Sequence, residues 1–302
     1  YGNGYEVSYM NSGKMTNKGW EFRVDAVPFE NRDWRVGFYF NIAHNENKIT
    51  EMPDNYTEEN YTFNNGEYAY RREEGRPMGS FYGYRYKGVC QNKDATYARD
   101  ADGNVMKDIS GNAIVMRNGT ATIAPGDALY EDINHDGVIN QYDIVYLGNS
   151  NPRFTGGAGV NVSYKQFKLS AIFYGRYGQD VVNSTRLNNE SMRGIDNQST
   201  AVLRRWRNEG DQTDIPRALY GEGYNTLGSD RFVEDASYLR LKSLSFNYRL
   251  PKKIIQRWGF SNIDVYVTGY NLFTWTKYTG QDPEVKTENT YARDSATTPA
   301  SI

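Results

Sequence analysis

The sequence predicts an all-β chain of long antiparallel strands that crosses a membrane as part of a β-barrel, with long loops on one side. Three observations carry that prediction. Apolar and polar residues alternate with a period of two over stretches of about ten residues, the length a tilted strand needs to span a bilayer, whereas soluble strands average about 5 to 6. Aromatic residues make up 15% of the 302 residues (26 Tyr, 13 Phe, 5 Trp) beside 29 Gly, a composition that favours strands. Short turns alternate with very long polar connections, as they do between the two rims of an outer-membrane barrel.

The elements follow in order. From Lys18 to Pro28, Trp20, Phe22, Val24 and Ala26 alternate with Glu21, Arg23 and Asp25; after the turn Glu30 to Asp33 the pattern resumes with Trp34, Val36, Phe38, Phe40 and Ile42. This is an antiparallel hairpin. A second hairpin carries Ala158, Val160, Val162 and Tyr164, turns at Lys165 and Gln166, and returns through Phe167, Leu169, Ala171 and Phe173. A third joins Leu239–Leu250 to Ile263–Phe273 across Pro251 to Asn262, which holds one helical turn, and a further strand is expected over Phe81 to Val89. Trp20, Phe29 and Trp34 cluster by one short turn as an interfacial girdle. Periodicity alone does not separate a barrel from a soluble sandwich, in which the apolar face would be core; strand length and aromatic excess favour the barrel.

The connections Glu46 to Gly79, Cys90 to Asn151 and Arg176 to Asp230 are polar and rich in Gly, Asn and Asp, and the tail from Lys286 to Ile302 reads as another loop. No internal repeat stands out. With 35 basic and 37 acidic residues, and a net charge of −2, no basic field draws the chain to nucleic acid. No apolar run reaches the roughly 18 residues of a membrane helix. One cysteine, Cys90, and two histidines, His44 and His135, leave thiol and zinc chemistry without a framework. A start at Tyr1 without Met and a polar end at Ile302 read as a piece of something longer.

One motif carries sharp chemistry. Residues 131–143 contain D-x-N-x-D-G-x-I-N-x-x-D, so Asp132, Asn134 and Asp136 present oxygens at alternate positions around one point. Gly137 permits the sharp turn, the Val138 carbonyl adds an oxygen, Asn140 acts directly or through water, and Asp143 closes the cage. Ca2+ is the expected occupant, in a structural role; the short acid at Asp143, where an EF-hand has Glu, also admits Mg2+. The bland alternative is an Asx turn without metal.

Other signals point away from catalysis. His44 ends a strand and His135 lies inside the cation loop, so neither is placed for a Ser/His/acid triad, and no carboxylate pair stands on a recognisable platform. Gly156 to Gly159 lacks the helix a phosphate cradle needs and reads as close packing. The N-x-S/T triplets at Asn118, Asn161 and Asn183 are expected by chance, Cys90 reads as an inert small residue, and in Leu203 to Asp211 Trp206 anchors a short helix. Tyr82, Tyr84 and Tyr86 share a strand face, either stacking on sugars or packing internally.

Several stretches together resemble the SusC/RagA family of TonB-linked outer-membrane transporters of Bacteroidetes. They are Asn17-Lys-Gly-Trp-Glu21, Gly75-Arg-Pro-Met-Gly-Ser-Phe-Tyr-Gly-Tyr84, Pro125-Gly-Asp127 leading into Asp132-Ile-Asn-His-Asp-Gly137, Leu147-Gly-Asn-Ser-Asn-Pro152, Ala236-Ser-Tyr-Leu-Arg-Leu-Lys242, Gly269-Tyr-Asn-Leu-Phe273 and Tyr278-Thr-Gly-Gln-Asp-Pro-Glu284. Their order looks like that family's C-terminal barrel region. The resemblance implies that residues 1–302 are an incomplete part of a 22-stranded barrel, with the plug, early strands and last strand absent. It also implies a SusD-like surface lipoprotein partner, a TonB complex reached through the missing N-terminal region, outer-membrane lipid around the strands, and no enzymatic activity. The substrate implied is a glycan or oligopeptide. A segment of about eight strands cannot close such a barrel alone. The rival class is a secreted, calcium-stabilised β-sandwich that binds carbohydrate.

Overall fold

A computed structural model describes residues 13–52, 68, 71–221, 224–284, 287–288 and 291–292. Alternating sequence becomes six long strands: β1 (Lys14–Glu30), β2 (Trp34–Glu51), β3 (Phe154–Tyr164), β4 (Phe167–Tyr177), β5 (Tyr238–Arg249) and β6 (Asp264–Thr276). They form one antiparallel sheet in chain order, β1-β2-β3-β4-β5-β6. The expected pairs are all present. Among the described residues the main sheet holds six strands where about eight were expected; the expected Phe81–Val89 strand lies elsewhere.

The register gathers most of the apolar side chains on one face, with Ile172 and Ala43 among the exceptions. Val24, Phe40, Ala158, Phe173, Leu241 and Phe273 lie side by side across the six strands, and Val36, Val162, Leu169, Phe246 and Val267 form another row. One residue along, the rows are polar: Gly37, Asn161, Ser170, Ser245 and Thr268, with Ser170 Oγ donating to Asn161 Oδ1 at 2.8 Å. A one-residue slip would invert this order, so the pattern itself fixes the register. Gly159 has a packing reason: the Tyr39 ring of the neighbouring strand lies over it, and a Cβ there would fall 2.1 Å from Tyr39 Cε1.

The apolar face is uncovered. Phe22 is 53% exposed, Phe40 41%, Phe246 45% and Val267 71%. Phe38 is likewise exposed, Val162 and Phe173 are half-buried, and no second sheet of the described residues covers them. This differs from a sandwich, whose inner faces bury each other.

Aromatic rows bound the face at both ends. At the short-turn rim Trp34, Tyr164, Phe167 and Tyr248 are neighbours, with Trp34 4.4 Å from Tyr164 and Phe167 4.6 Å from Tyr248 between ring centroids. At the other end Trp20 meets His44 and Phe154, and Phe154 meets Tyr177. Trp20 therefore belongs to the far row and not, as the sequence suggested, with Phe29 and Trp34; hairpin pairing sends its strand partner to His44. The 11-residue strand Phe154–Tyr164 joins the two rows. At about 3.4 Å per residue and a tilt near 45°, its span is about 25 Å across the membrane, the height of an outer-membrane barrel's apolar band.

The connections at the far end are folded, which their polar composition concealed. Phe81–Val89 splits into Ser80–Gly83, paired with Val145–Asn149, and Tyr86–Val89, paired with Ala128–Tyr130. Tyr82, Tyr84, Cys90, Met116, Ile123, Tyr130, Ile139 and Leu227 make a buried core there. Strand β2 runs to Glu51, so the connection expected from Glu46 starts later, and most of it lies outside the described residues. Within the expected tail loop, Thr287–Glu288 pairs with Tyr291–Ala292, and the rest of the tail lies outside the described residues. An internal repeat is present after all: Asp100–Asn104 and Asp108–Asn112 are twin hairpin turns eight residues apart. In each, the aspartate accepts from the amide four residues on, at 2.8 Å, and the glycine (Gly103 or Gly111) has φ of 84°. Those amides hold both carboxyls below the usual carboxylate range.

Candidate functional site: the outer-loop assembly and the polar sheet face

Two long connections are locked together by a buried ion pair. Pro125-Gly126-Asp127 turns with Gly126 at φ +90°, and the Trp206 ring lies against it so closely that a Cβ would sit 2.3 Å from the ring. The Asp127 carboxylate, fully buried, accepts from Arg217 Nε (2.7 Å) and Nη2 (3.2 Å), from Asn225 Nδ2 (3.3 Å) and from the Ala124 amide (2.8 Å). Arg217 N also donates to the Gly126 carbonyl at 2.8 Å. Trp206 thus anchors its loop, but not through the expected short helix over Leu203 to Asp211: the 3-10 turn Thr200–Arg204 ends before it.

A second network joins Ser184–Asn189 to the chain before β5. Arg231, almost wholly buried against Tyr86 and Phe232, donates to Glu190 Oε2 at 2.8 Å. Arg186 donates to Glu190 Oε1 at 3.0 Å and Glu234 Oε1 at 3.2 Å, and Glu234 accepts from the Thr279 amide at 2.8 Å. Burial pushes the Tyr86 hydroxyl up to about 12 and the Cys90 thiol up to about 11, so both stay protonated, and Cys90 is inert as expected.

The sequence's candidate residues fall as follows. The Tyr82, Tyr84 and Tyr86 rings pack on Tyr146 and Tyr130 in the core, which is the internal-packing alternative. Asn183 is buried and caps a helix, its Oδ1 accepting from Arg186 N; Asn118 is also buried, and Asn161 lies within β3. His44 Nδ1 lies 2.6 Å from the Arg153 carbonyl, and His135 Nδ1 3.3 Å from that of Arg99.

In the loop at 131–143 the expected donor oxygens accept from the loop's own N–H groups. Asp132 Oδ2 accepts from the Gly137 amide at 2.7 Å, Asp136 Oδ1 from the Val138 amide at 2.7 Å, and Asp136 Oδ2 from Asn134 Nδ2 at 2.9 Å. Asn140 Nδ2 donates to the Val138 carbonyl at 2.9 Å. Asp143 is fully buried and latches the loop by accepting from the Ile133 and Asn140 amides, both at 2.8 Å. Burial raises its carboxyl above the usual range. Among the described residues no three His, Cys, Asp or Glu side chains converge as a metal group. The donor set that would serve a cation is all oxygen, the chemistry of a hard ion. Beside the loop opens a cleft of about 620 Å³ with Tyr97, Met116, Leu129 and Tyr130 in its lining and Glu131, Asp132 and His135 along one side.

On the polar face, Arg240 is buried under Asp282 (2.6 Å), Glu284 (2.9 Å) and Thr274 (2.9 Å), and Lys242 shares Glu284 at 2.9 Å. Sequence reasoning missed these networks; nothing local flags partners about forty residues apart.

An exposed apolar band with aromatic rims, polar on the reverse and crowned by folded loops at one end, is the design of an outer-membrane β-barrel wall. No protein-family model matches the chain. It is 32% identical over 296 residues to "TonB-dependent receptor P3" of Formosa agariphila, covering 95% of this chain and 27% of that protein. It is 26% identical over 286 residues to "TonB-dependent receptor SusC" of Bacteroides thetaiotaomicron, covering 91% and 25% respectively. The solved "RagAB peptide transporter" superposes with a TM-score of 0.64 at 26% identity, over 93% of this chain and 28% of that one. The chain belongs to the SusC/RagA family of TonB-dependent receptors. It spans about a quarter of the length of these curated relatives.

Proposed function

We propose that residues 1–302 are the C-terminal portion of the 22-stranded barrel of a TonB-dependent outer-membrane importer. With a SusD-like surface lipoprotein, it takes up oligopeptides or glycans, driven by the proton-motive force through TonB. The observation that carries this reading is the uncovered apolar band, about 25 Å tall, continuous over six strands and rimmed by aromatics. In lipid the free edges of β1 and β6 need further strands, which the rest of a longer chain supplies. RagAB is a peptide transporter, which supports an oligopeptide cargo, and the kinship with SusC supports energised import. No covalent chemistry is assigned to the segment.

The loop at 131–143 binds Ca2+ in this reading, through Asp132, Asn134, Asp136, the Val138 carbonyl, Asn140 and Asp143. The ion would neutralise Asp132 and Asp136, would be closed off by Asp143, and would fix the loop that borders the cleft.

Uptake of labelled oligopeptides and oligosaccharides by cells carrying the full-length chain tests the function. Accumulation of one class, abolished by an uncoupler and by deletion of the neighbouring lipoprotein gene, is expected. Recovery of the full-length chain as a water-soluble monomer with cooperative unfolding would overturn it.

A further inference from the structure

We propose that the connection between β5 and β6 is a membrane foot that binds anionic phospholipid headgroups at the short-turn rim; this rests on the barrel reading above. The three connections at that rim differ in kind. The first two are tight polar turns that hold acids beside their bases: Arg35 lies 3.8 Å from Glu30, and Lys165 4.0 Å from Asp33. The third, residues 250–263, holds Lys252, Lys253 and Arg257 and no acid at all. None of these three cations has an ion pair among the described residues.

Its apolar residues complete the pattern. The helical turn Lys252–Ile255 continues as Gln256–Trp258 and ends at Gly259, with φ of 75°. Ile255 is fully buried and seats the turn, while Ile254 is 46%, Trp258 61% and Phe260 55% exposed. Ile254 and Trp258 are four residues apart, one stripe of a helix, and Lys253 and Arg257 form the stripe beside it. The Leu250 amide donates to the Ile263 carbonyl at 3.0 Å, and the Phe260 amide to the Ile255 carbonyl at 3.2 Å, so the connection is closed and shaped.

Three uncovered large apolar groups next to three unpaired cations suit the boundary where acyl chains meet anionic headgroups. Position agrees: the connection starts two residues past Tyr248, the end of the aromatic row that runs through Trp34, Tyr164 and Phe167. The foot continues the apolar face outward into the headgroup layer.

The full-length chain in lipid nanodiscs tests this, with the Trp258 emission taken as the difference between wild type and Trp258→Phe. Lipids brominated near the carbonyl should quench that component, and more strongly in discs containing phosphatidylglycerol than in phosphatidylcholine alone. Replacing Lys252, Lys253 and Arg257 together by Gln should remove the phosphatidylglycerol dependence. Quenching by acrylamide from water only, shielding from both quenchers by another part of the chain, or indifference to phosphatidylglycerol overturns the foot. Trp20, Trp34 and Trp275 serve as controls on the sheet face: if they too escape the brominated lipids, the barrel reading itself has failed.

Discussion

The sheet and the outer-loop assembly treat the same residue types in opposite ways. On the strands Phe273 is 61% and Trp275 52% exposed, while in the loops Phe81 and Phe232 are fully buried. In the loops, folding removes apolar area from water, and the usual inside-out order holds. On the strands the same groups are left outside, which is stable only where the surroundings are apolar as well. The contrast teaches that this one chain is built for two solvents, and the boundary between them runs along the row Trp20, Phe154 and Tyr177.

Five measurements put that contrast at risk. The largest effect is expected in the loops: Asp127→Ala removes a fully buried carboxylate that accepts from Arg217, Asn225 and the Ala124 amide and should cost about 3 to 5 kcal/mol of local stability. Limited proteolysis should then cut the connections around 90–151 and 178–237 while the strands remain intact. Next, Val160→Arg, at mid-band on the apolar face, should destabilise refolding into bilayers by about 2 to 4 kcal/mol, and Asn161→Arg on the polar face by far less. Equal costs at the two positions would abolish the two-solvent account.

Third comes metal removal. Calcium at about 100 times its dissociation constant should stabilise the loop assembly by about 2.7 kcal/mol, and a chelator should lower its melting temperature accordingly. Asp132→Ala with Asp136→Ala should make the protein insensitive to the chelator; a wild type that ignores the chelator loses the metal claim. Fourth, Gly126→Ala drives a methyl group into the Trp206 ring and should cost about 1 to 3 kcal/mol, seen as a change in Trp206 fluorescence.

The smallest is a pH effect at Asp180, whose carboxyl burial raises above the usual range. Its folded form binds the proton more tightly than the unfolded chain. The stability it contributes is therefore full below the ordinary aspartate value, and is lost as pH rises through the raised one. Asp180→Asn, which keeps an oxygen to accept from the Asn149 amide, should flatten that slope in denaturant titrations between acid and neutral pH.

The sheet was legible because its information is local: a two-residue period states which face each side chain takes, and hairpins of two or three residues leave one register. Trp20 was misplaced because an aromatic's rim depends on its partner strand, and Trp20 pairs with His44 at the far end from the turn. The loops were harder. Their turns could have been read from the Asp-x-x-Gly-Asn spacing at 100 and 108, and Gly126 and Asp127 stood out as a motif. The packing did not: Asp127 meets Arg217 across 90 residues, and Arg231 reaches back to Glu190. No periodicity encodes pairs that meet only after the chain has folded. The cation loop was readable as a donor list, because its residues are contiguous.

The Asp127–Arg217 clamp, with Trp206 seated on Gly126, makes one body of what the chain order presents as two separate excursions. Neither excursion can swing by itself without breaking a desolvated charge pair. Any displacement of the loop assembly relative to the sheet therefore carries both excursions together, about the ends of β2, β3, β4 and β5 from which they spring.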